Sequence, residues 1–153
     1  MRRKDRELTR DEALDVLERG EYGTLSMIDG NGKAYAVPIT YTLLDDDIIL
    51  HSTNAEGWRK AALIANPKVC FSVVANTKVL PDQFGTLYCS AIVRGKAMQI
   101  ADEDEKKTAL AAFLPKYSAD YIEKGERYIA AAVGQVDVWK IHIEELTGKG
   151  RKK

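Results

Sequence analysis

The chain has 153 residues, and its 23 Lys and Arg residues balance its 23 Asp and Glu residues, so the formal net charge is zero. This length fits one domain over residues 1–153, and a composition of 45% hydrophobic and 30% charged residues excludes a largely disordered chain. No apolar run approaches the ~20 residues of a membrane helix and no signal-peptide core follows the first residues, so a cytoplasmic protein without a membrane partner is expected.

Basic residues crowd both ends of the chain, in an N-terminal arm over residues 1–8 and a basic tail over residues 148–153. The balanced net charge makes nucleic-acid binding unlikely as a function, and solvated ends are the expected state of both segments. The basic side chains at or next to these segments are Arg2, Arg3, Lys4, Arg6, Arg10, Lys149, Arg151, Lys152 and Lys153.

The first elements have clear boundaries. Thr9 and Glu12 form a capping box that begins a helix ending at Gly20. A strand over 22–28 and a return strand over 34–41 flank an Asp-Gly-Asn-Gly turn, which is typical of a hairpin. Pro38 lies in the return strand, and because proline donates no ladder hydrogen bond it predicts a strand edge or a bulge.

The middle of the chain predicts a strand over 48–51, a helix over 56–65 and a strand over 69–75. Residues 76–85 are expected to form a loop.

The rest predicts a long strand over 88–100, bent at Gly95, and a helix capped by Asp102 that stops at Pro115. A short helix begins at Ser118 and runs to about residue 124, and a last strand covers 133–145.

About six strands joined mainly by hairpins favour an antiparallel barrel with peripheral helices over a doubly wound parallel sheet. The predicted fold class is α+β, mainly β.

The segment after the third predicted strand is the best candidate for binding chemistry. Ser52 and Thr53 offer hydroxyls, and Arg59 and Lys60 lie at the start of a helix, a combination that suits a phosphate. An ordinary strand–loop–helix connection is the alternative. The P-loop pattern is absent, so nucleotide hydrolysis is not supported.

No nucleophile–base pair is evident, and His51 is only a weak catalytic candidate. His142, between two isoleucines, is expected to be structural. Trp139 is expected to pack in the interior or to contact a cofactor ring. Cys70 and Cys89 are too few for a disulfide framework and are not spaced as metal ligands, so they are expected to be small buried side chains, and no metal site is predicted.

Several segments, in this order, resemble the pyridoxamine 5′-phosphate oxidase-related flavoproteins, in particular the branch with Nim-like 5-nitroimidazole-resistance proteins. The resemblance covers nearly the whole chain, and the segments that carry it are residues 1–9, 36–41, 51–52, 57–59, 66–71, 88–96 and 144–149.

The resemblance implies a split β-barrel that dimerises and binds FMN in the crevice between subunits, with FAD as the alternative flavin. It places the isoalloxazine beside the proline-containing strand and the phosphate at the His-Ser loop and the next helix. The cofactor residues carried over on this basis, together with Trp139 for a ring contact, are Val37, Pro38, Ile39, Thr40, Tyr41, His51, Ser52, Thr53, Arg59 and Lys60.

Two features depart from the family pattern. Gly57-Trp58-Arg59 stands where relatives often have Gly-Arg-Lys, which puts Arg59 at the usual lysine with Lys60 as a spare cation. The last strand lacks the Arg-rich substrate signature of true pyridoxamine-phosphate oxidases, so vitamin B6 oxidation is not expected.

The expected function is therefore a small FMN-dependent reductase of the nitroreductase type. The alternatives are a non-catalytic flavin-binding or redox-sensing module, and a split barrel that holds a deazaflavin or haem. The sequence identifies neither the small-molecule substrate nor the electron donor.

Overall fold

The computed structural model describes residues 3–152, so Met1 and Arg2 of the predicted arm and Lys153 of the predicted tail lie outside it. The strands are β1 (Glu7–Leu8), β2 (Gly23–Ile28), β3 (Ala34–Ile39), β4 (Thr42–Leu44), β5 (Asp47–Thr53), β6 (Lys68–Leu80), β7 (Gly85–Ile100) and β8 (Val136–Arg151). The α-helices are α1 (Arg10–Arg19), α2 (Trp58–Ala65), α3 (Glu103–Ala111), α4 (Phe113–Tyr117) and α5 (Ile122–Ala132).

All strand pairs are antiparallel, in the order β3-β2-β6-β7-β8-β5-β4, with β1 added to β8. The two edge strands, β3 and β4, are consecutive in the chain and are joined by Thr40 and Tyr41 alone. The sheet therefore curls into a barrel that is split between β3 and β4. The predicted class, α+β and mainly β with a split antiparallel barrel, is confirmed.

The strand count differs from the prediction, because the sheet has eight strands rather than about six. The additional strands, β1 and β4, have 2 and 3 residues and are too short to show an alternating pattern. The loop predicted over 76–85 is mostly a long hairpin of β6 and β7, with a register shift between Ala75 and Lys78. Asn76 has a φ of 55°, a left-handed backbone that asparagine tolerates.

Helix α1 begins as predicted. The Thr9 backbone N–H donates to Glu12 Oε2 at 2.9 Å, and Thr9 Oγ1 accepts from the Glu12 N–H at 3.2 Å. Ala13, Val16 and Leu17 are buried against the barrel, which explains the spacing of the helix's apolar positions.

The structure confirms the predictions for Pro38, at a strand edge, and for Gly95, at a bend. Pro38 lies on edge strand β3, opposite Thr24. The register of β7 against β8 shifts between Arg94 and Gly95. A Cβ at Gly95 would lie 2.0 Å from the His142 carbonyl oxygen, so the close approach of the two strands requires glycine.

The helical segment after β7 differs from the prediction that one helix stops at Pro115. Helix α3 already ends at Ala111, and Pro115 is the third residue of α4. Proline is tolerated there because first-turn N–H groups have no intrahelical acceptor. The next helix, α5, extends to Ala132 rather than to residue 124, and the Ser118 side chain does not cap it.

The closing residues are part of the sheet rather than a free tail. Gly148 and Lys149 pair with Leu8 and Glu7 in β1, and β8 continues to Arg151. The sequence did not reveal this pairing because glycines and charged residues dominate the segment.

The interior has two apolar clusters. One fills the barrel beneath α1 and includes Leu25, Tyr41 and Phe71. The other lies outside β5 and β8, where Ile49 and Val138 meet side chains of α3 and α4 such as Leu110 and Phe113. The three late helices therefore cover one outer face of the barrel and leave a cavity against the end of β5.

Candidate functional site

The end of β5 and the start of α2 form the candidate site. His51, Ser52 and Thr53 pair with Val138, Asp137 and Val136 of β8, which fixes them at the end of the sheet. Because successive strand residues point to opposite faces, the His51 and Thr53 side chains lie on the helix-covered face and Ser52 lies on the barrel side.

The first turn of α2 has free backbone donors. The first intrahelical bond near this end runs from the Ala61 N–H to the Gly57 carbonyl at 3.1 Å, and no side chain caps the helix. The N–H groups of Trp58, Arg59 and Lys60 are therefore available to an anion.

Arg59 is a cation that borders this corner. Its side chain is half-buried and has no hydrogen-bond or carboxylate partner among residues 3–152. It borders both cavities that meet here, as do Ser52 and Thr53. A guanidinium with two hydroxyls and free amides is a donor set that suits a phosphate.

The larger cavity has a volume of about 870 Å³ and lies between the end of β5 and the helices α3, α4 and α5. Most of its walls are apolar, and no Asp or Glu of residues 3–152 contributes to them. The lining side chains include Ile39, His51, Ser52, Thr53, Arg59, Leu110, Phe113, Tyr121, Tyr128 and Ile129.

The smaller cavity, of about 310 Å³, lies at the barrel end and shares Ser52, Thr53 and Arg59 with the larger one. The walls that it does not share include Tyr35, Trp58 and Trp139. Trp139 is buried, so it forms the floor of this cavity as a packed interior residue.

His51 packs edge-on against Phe113, with the ring centroids 4.8 Å apart. Burial of the imidazole lowers the pKa of His51 below its usual value, and the nearby Arg59 charge lowers it further. The lowered pKa favours the neutral imidazole, which has one donor and one acceptor nitrogen.

Lys60 is near the site, but its charge is already paired. Its ammonium lies 2.9 Å from Glu56 and 3.1 Å from the buried Asp137, and these two carboxylates raise the pKa of Lys60. Gln99 also donates to Asp137, at 3.0 Å. Lys60, expected as a second cation for the phosphate, is therefore engaged in an ion pair with the buried Asp137.

The five cofactor residues predicted along the proline-containing strand lie in different surroundings. Of these, Ile39 alone borders either cavity. Val37 packs against the barrel interior, whereas Pro38 and Thr40 are exposed. Tyr41 is fully buried and its hydroxyl donates to the Leu17 carbonyl, so its side chain belongs to the core rather than to the cavity wall.

Sequence reasoning missed the helical wall of the larger cavity. Phe113, Tyr121, Tyr128 and Ile129 reach the end of β5 only through tertiary packing. The sequence did contain a signal for this wall. The late helical segment is rich in charge but carries several aromatic residues, more than a fully solvated helix needs.

The cysteines are both free. Cys89 is buried in the barrel, as expected, whereas Cys70 is half-buried and faces a groove on the outer surface of the sheet. Within residues 3–152, no group of three or more His, Cys, Asp or Glu side chains is placed to hold a metal ion. In the same part of the chain, no helix is long and apolar enough to cross a membrane.

Comparison with known proteins gives a family. A family model described as pyridoxamine 5′-phosphate oxidase matches residues 9–150. No curated protein sequence matches the chain.

Solved structures show the same fold. A Bacteroides thetaiotaomicron protein, provisionally assigned as a 5-nitroimidazole antibiotic resistance protein, is 25% identical with a TM-score of 0.79, over 94% of this chain and 86% of that one. A FAD-binding protein from Mesorhizobium loti is 20% identical with a TM-score of 0.71, over 97% of both chains. A FAD and heme binding protein from Mycobacterium smegmatis is 18% identical with a TM-score of 0.72, over 95% of this chain and 72% of that one.

Proposed function

The chain belongs to the pyridoxamine 5′-phosphate oxidase family, and we propose that it is a flavoprotein that binds FMN at the end of β5. The observation that carries this proposal is the position of Arg59, which has no hydrogen-bond or carboxylate partner among residues 3–152 and lies with Ser52 and Thr53 between two cavities. A phosphate brings about −1.5 to −2 charges and needs such donors.

The phosphate would be held by Arg59, by the hydroxyls of Ser52 and Thr53, and by the free N–H groups at the start of α2. These donors come from two rigid elements, which positions them before any ligand arrives. The Lys60–Asp137 ion pair behind them ties α2 to β8 and so fixes the direction of the helix.

The isoalloxazine would occupy the larger cavity, where Ile39, Leu110 and Phe113 offer an apolar wall. When bound, the flavin supplies two-electron redox chemistry that protein side chains lack. The residues of this chain would bind and orient it, cover it on one side with the helical wall, and present the His51 imidazole as a group that can hold a proton.

The proposed activity is that of a small flavin-dependent reductase of the nitroreductase type. The likeness to the Bacteroides thetaiotaomicron protein supports it, and the aromatic side chains Tyr121 and Tyr128 suit a flat substrate. The apolar character of the cavity, with no carboxylate among its walls, also favours a second candidate, a flavin-binding or redox-sensing module without turnover.

Anaerobic reduction separates the two candidates. The flavin-loaded protein is mixed with NADH or NADPH, and its visible absorbance is followed before and after a nitroaromatic is added. Bleaching followed by recovery on the nitroaromatic supports the reductase. A flavin that neither donor reduces contradicts this pyridine-nucleotide-dependent reductase and favours the binding module.

We further propose that the functional unit is a cytoplasmic homodimer with the cofactor near the subunit interface. Apolar residues on the outer face of the sheet support it, because Ile28, Val74 and Ile92 expose 48%, 58% and 44% of their surface. Light scattering after size-exclusion chromatography should give twice the 17.0 kDa mass of one chain. A monomer that retains flavin would contradict the dimer.

A further inference from the structure

Helix α5 turns one face to the larger cavity without burying it. The cavity walls contributed by this helix and the residue before it recur at the spacing of a single helix face, and they are Tyr121, Lys124, Gly125, Tyr128, Ile129 and Ala132. None of the residues of α5, all of which the structure describes, is buried. Tyr121 and Tyr128 are 63% and 73% exposed. This face is therefore open to a ligand in the cavity.

Lys124 is the charged residue of this face. It follows Tyr121 by three residues and precedes Tyr128 by four, so the ammonium and the two rings are neighbours on the helix surface. Lys124 is exposed, and its ammonium has no carboxylate or hydrogen-bond partner among residues 3–152. Asp120 and Glu123 border a separate surface depression that Lys124 also borders, and neither borders the cavity.

The cavity thus has a cation on each of two sides and no acidic wall from the described part of the chain. Arg59 lies at the end of β5, where the proposed function uses it for the cofactor phosphate. Lys124 lies on α5, apart from the Ile39, Leu110 and Phe113 wall assigned to the isoalloxazine. The volume of about 870 Å³ is large for a small-molecule site, so the α5 side is available to a second molecule.

We infer that the α5 side of the cavity binds the substrate, and that this substrate is a flat aromatic acid whose ring contacts Tyr121 and Tyr128 and whose carboxylate pairs with Lys124. The inference rests on the proposed function and deepens it, because it names the substrate class of the proposed reductase.

The physical basis is a match of both shape and charge. The flat tyrosine rings offer apolar contact to another ring. Apolar walls beside the ammonium strengthen its attraction to a carboxylate relative to bulk water. The same walls offer no acidic partner to a cationic ligand. The site should therefore prefer an aromatic acid to a neutral or cationic molecule with the same ring.

The test compares three ligands that share one ring system and differ in charge: naphthoate, naphthalenemethanol and naphthylmethylamine. Isothermal titration calorimetry gives their dissociation constants for the flavin-free and the FMN-loaded protein. The variants are Lys124→Met, Lys124→Arg and Arg127→Met. Arg127 is an exposed cation of the same helix that does not border the cavity, so Arg127→Met is the matched control.

We expect naphthoate to bind about 3- to 10-fold more tightly than naphthalenemethanol, because an exposed ion pair contributes up to about fivefold and apolar walls strengthen it. The amine should bind most weakly. Lys124→Met should abolish the preference for the acid, whereas Lys124→Arg and Arg127→Met should keep it. Circular dichroism of each variant checks that the helices are folded.

Three results would overturn the substrate site. The acid and the alcohol could bind the unmodified protein equally, or the preference for the acid could persist in Lys124→Met. None of the three probes could bind, as expected if a second copy of the chain covers α5. A protein that takes up no flavin but still prefers the acid through Lys124 is a different result, because it keeps the aromatic-acid site and overturns the proposed function.

Discussion

At the scale of single residues, Arg59 has the largest expected effect on cofactor affinity. Its guanidinium has no partner in the described part of the chain, so a bound phosphate would gain a charge-assisted hydrogen bond there. We expect Arg59→Met to weaken FMN binding by about 1.5–3 kcal/mol, which is roughly 10- to 150-fold, in a fluorescence titration.

Riboflavin provides the matched control for this prediction, because it has the same ring system and no phosphate. Arg59→Met should leave riboflavin affinity nearly unchanged, and Arg59→Lys should restore part of the FMN affinity. Equal losses for riboflavin and FMN would show that Arg59 does not contact the phosphate.

The second residue-scale prediction concerns the protonation of His51. Burial and the Arg59 charge both lower its pKa, so its imidazole should titrate below the usual value of about 6.5 in the flavin-free protein. Replacing Arg59 with Met removes the smaller of the two causes and should raise the pKa of His51 without restoring the usual value. NMR titration measures the pKa of His51, and the His142→Gln variant shows which of the two histidine signals belongs to His51. A lower pKa of His51 in the Arg59→Met variant would contradict the placement of Arg59 near the imidazole.

Individual residues also show what sequence reasoning could reach. His51, Ser52, Thr53 and Arg59 were predicted because they lie in one short segment from a strand end to a helix start and because the family resemblance implies a phosphate there, and the structure places all four around one cavity. Phe113 was not predicted, because its contact with His51 joins residues that are far apart in the chain.

At the scale of elements, α4 joins the helical wall to the split in the barrel. The Tyr117 hydroxyl lies 2.6 Å from the Glu21 carbonyl and 2.8 Å from the Tyr41 carbonyl, and it accepts from the Tyr41 N–H at 3.2 Å. The Lys116 ammonium lies 3.9 Å above the Tyr41 ring. Because α4 also carries Phe113, these contacts hold the cavity wall against the barrel.

Lys116 makes the stability of the protein depend on pH. Burial lowers the pKa of Lys116 to about 8, and the Glu18 charge opposes that effect only in part. Between about pH 8 and the usual lysine value of about 10.4 the unfolded chain binds more protons than the folded one, so this group adds stability as the pH rises.

We therefore expect the free energy of unfolding of the unmodified protein, minus that of Lys116→Met, to increase from pH 8 to pH 10. Urea denaturation of both proteins at each pH measures it, and the subtraction removes the titration of other groups. A difference that stays constant or falls would contradict the burial of a charged Lys116.

A second element-scale prediction concerns the bulge in β7. Gly95→Ala would place a methyl group 2.0 Å from the His142 carbonyl oxygen, and the backbone of β8 would have to move. We expect Gly95→Ala to lower the free energy of unfolding by about 1–3 kcal/mol, measured by urea denaturation. Gly134→Ala is the control, because nothing lies within 4 Å of the added Cβ; equal stability of both variants would contradict the close approach of the strands.

The sequence predicted the ends of helices and strands that are set by capping residues or prolines. It did not predict the ends that are set by pairing with a distant strand. The Thr9–Glu12 capping box specified the start of α1, and Pro38 restricted its strand to an edge or a bulge, of which the structure shows the edge. The extension of β8 to Arg151 depends on pairing with Glu7 and Leu8, which no local pattern indicates.

At the scale of the whole molecule, the antiparallel barrel followed from hairpin turns and alternating strands, and the split in the barrel was implied by the family resemblance. The position of the helices did not follow, because no local pattern specifies which outer surface of the barrel an apolar helix face covers. The resulting cavity, and with it most of the candidate site, is a property of the assembled molecule.

The most direct test of the account is the absorption spectrum of the purified protein, followed by mass analysis of any cofactor released on denaturation. The account predicts a flavin spectrum and release of FMN or FAD, or uptake of added flavin by a colourless preparation. A colourless protein that also fails to bind added FMN and FAD, or one that releases haem or a deazaflavin instead, would contradict it.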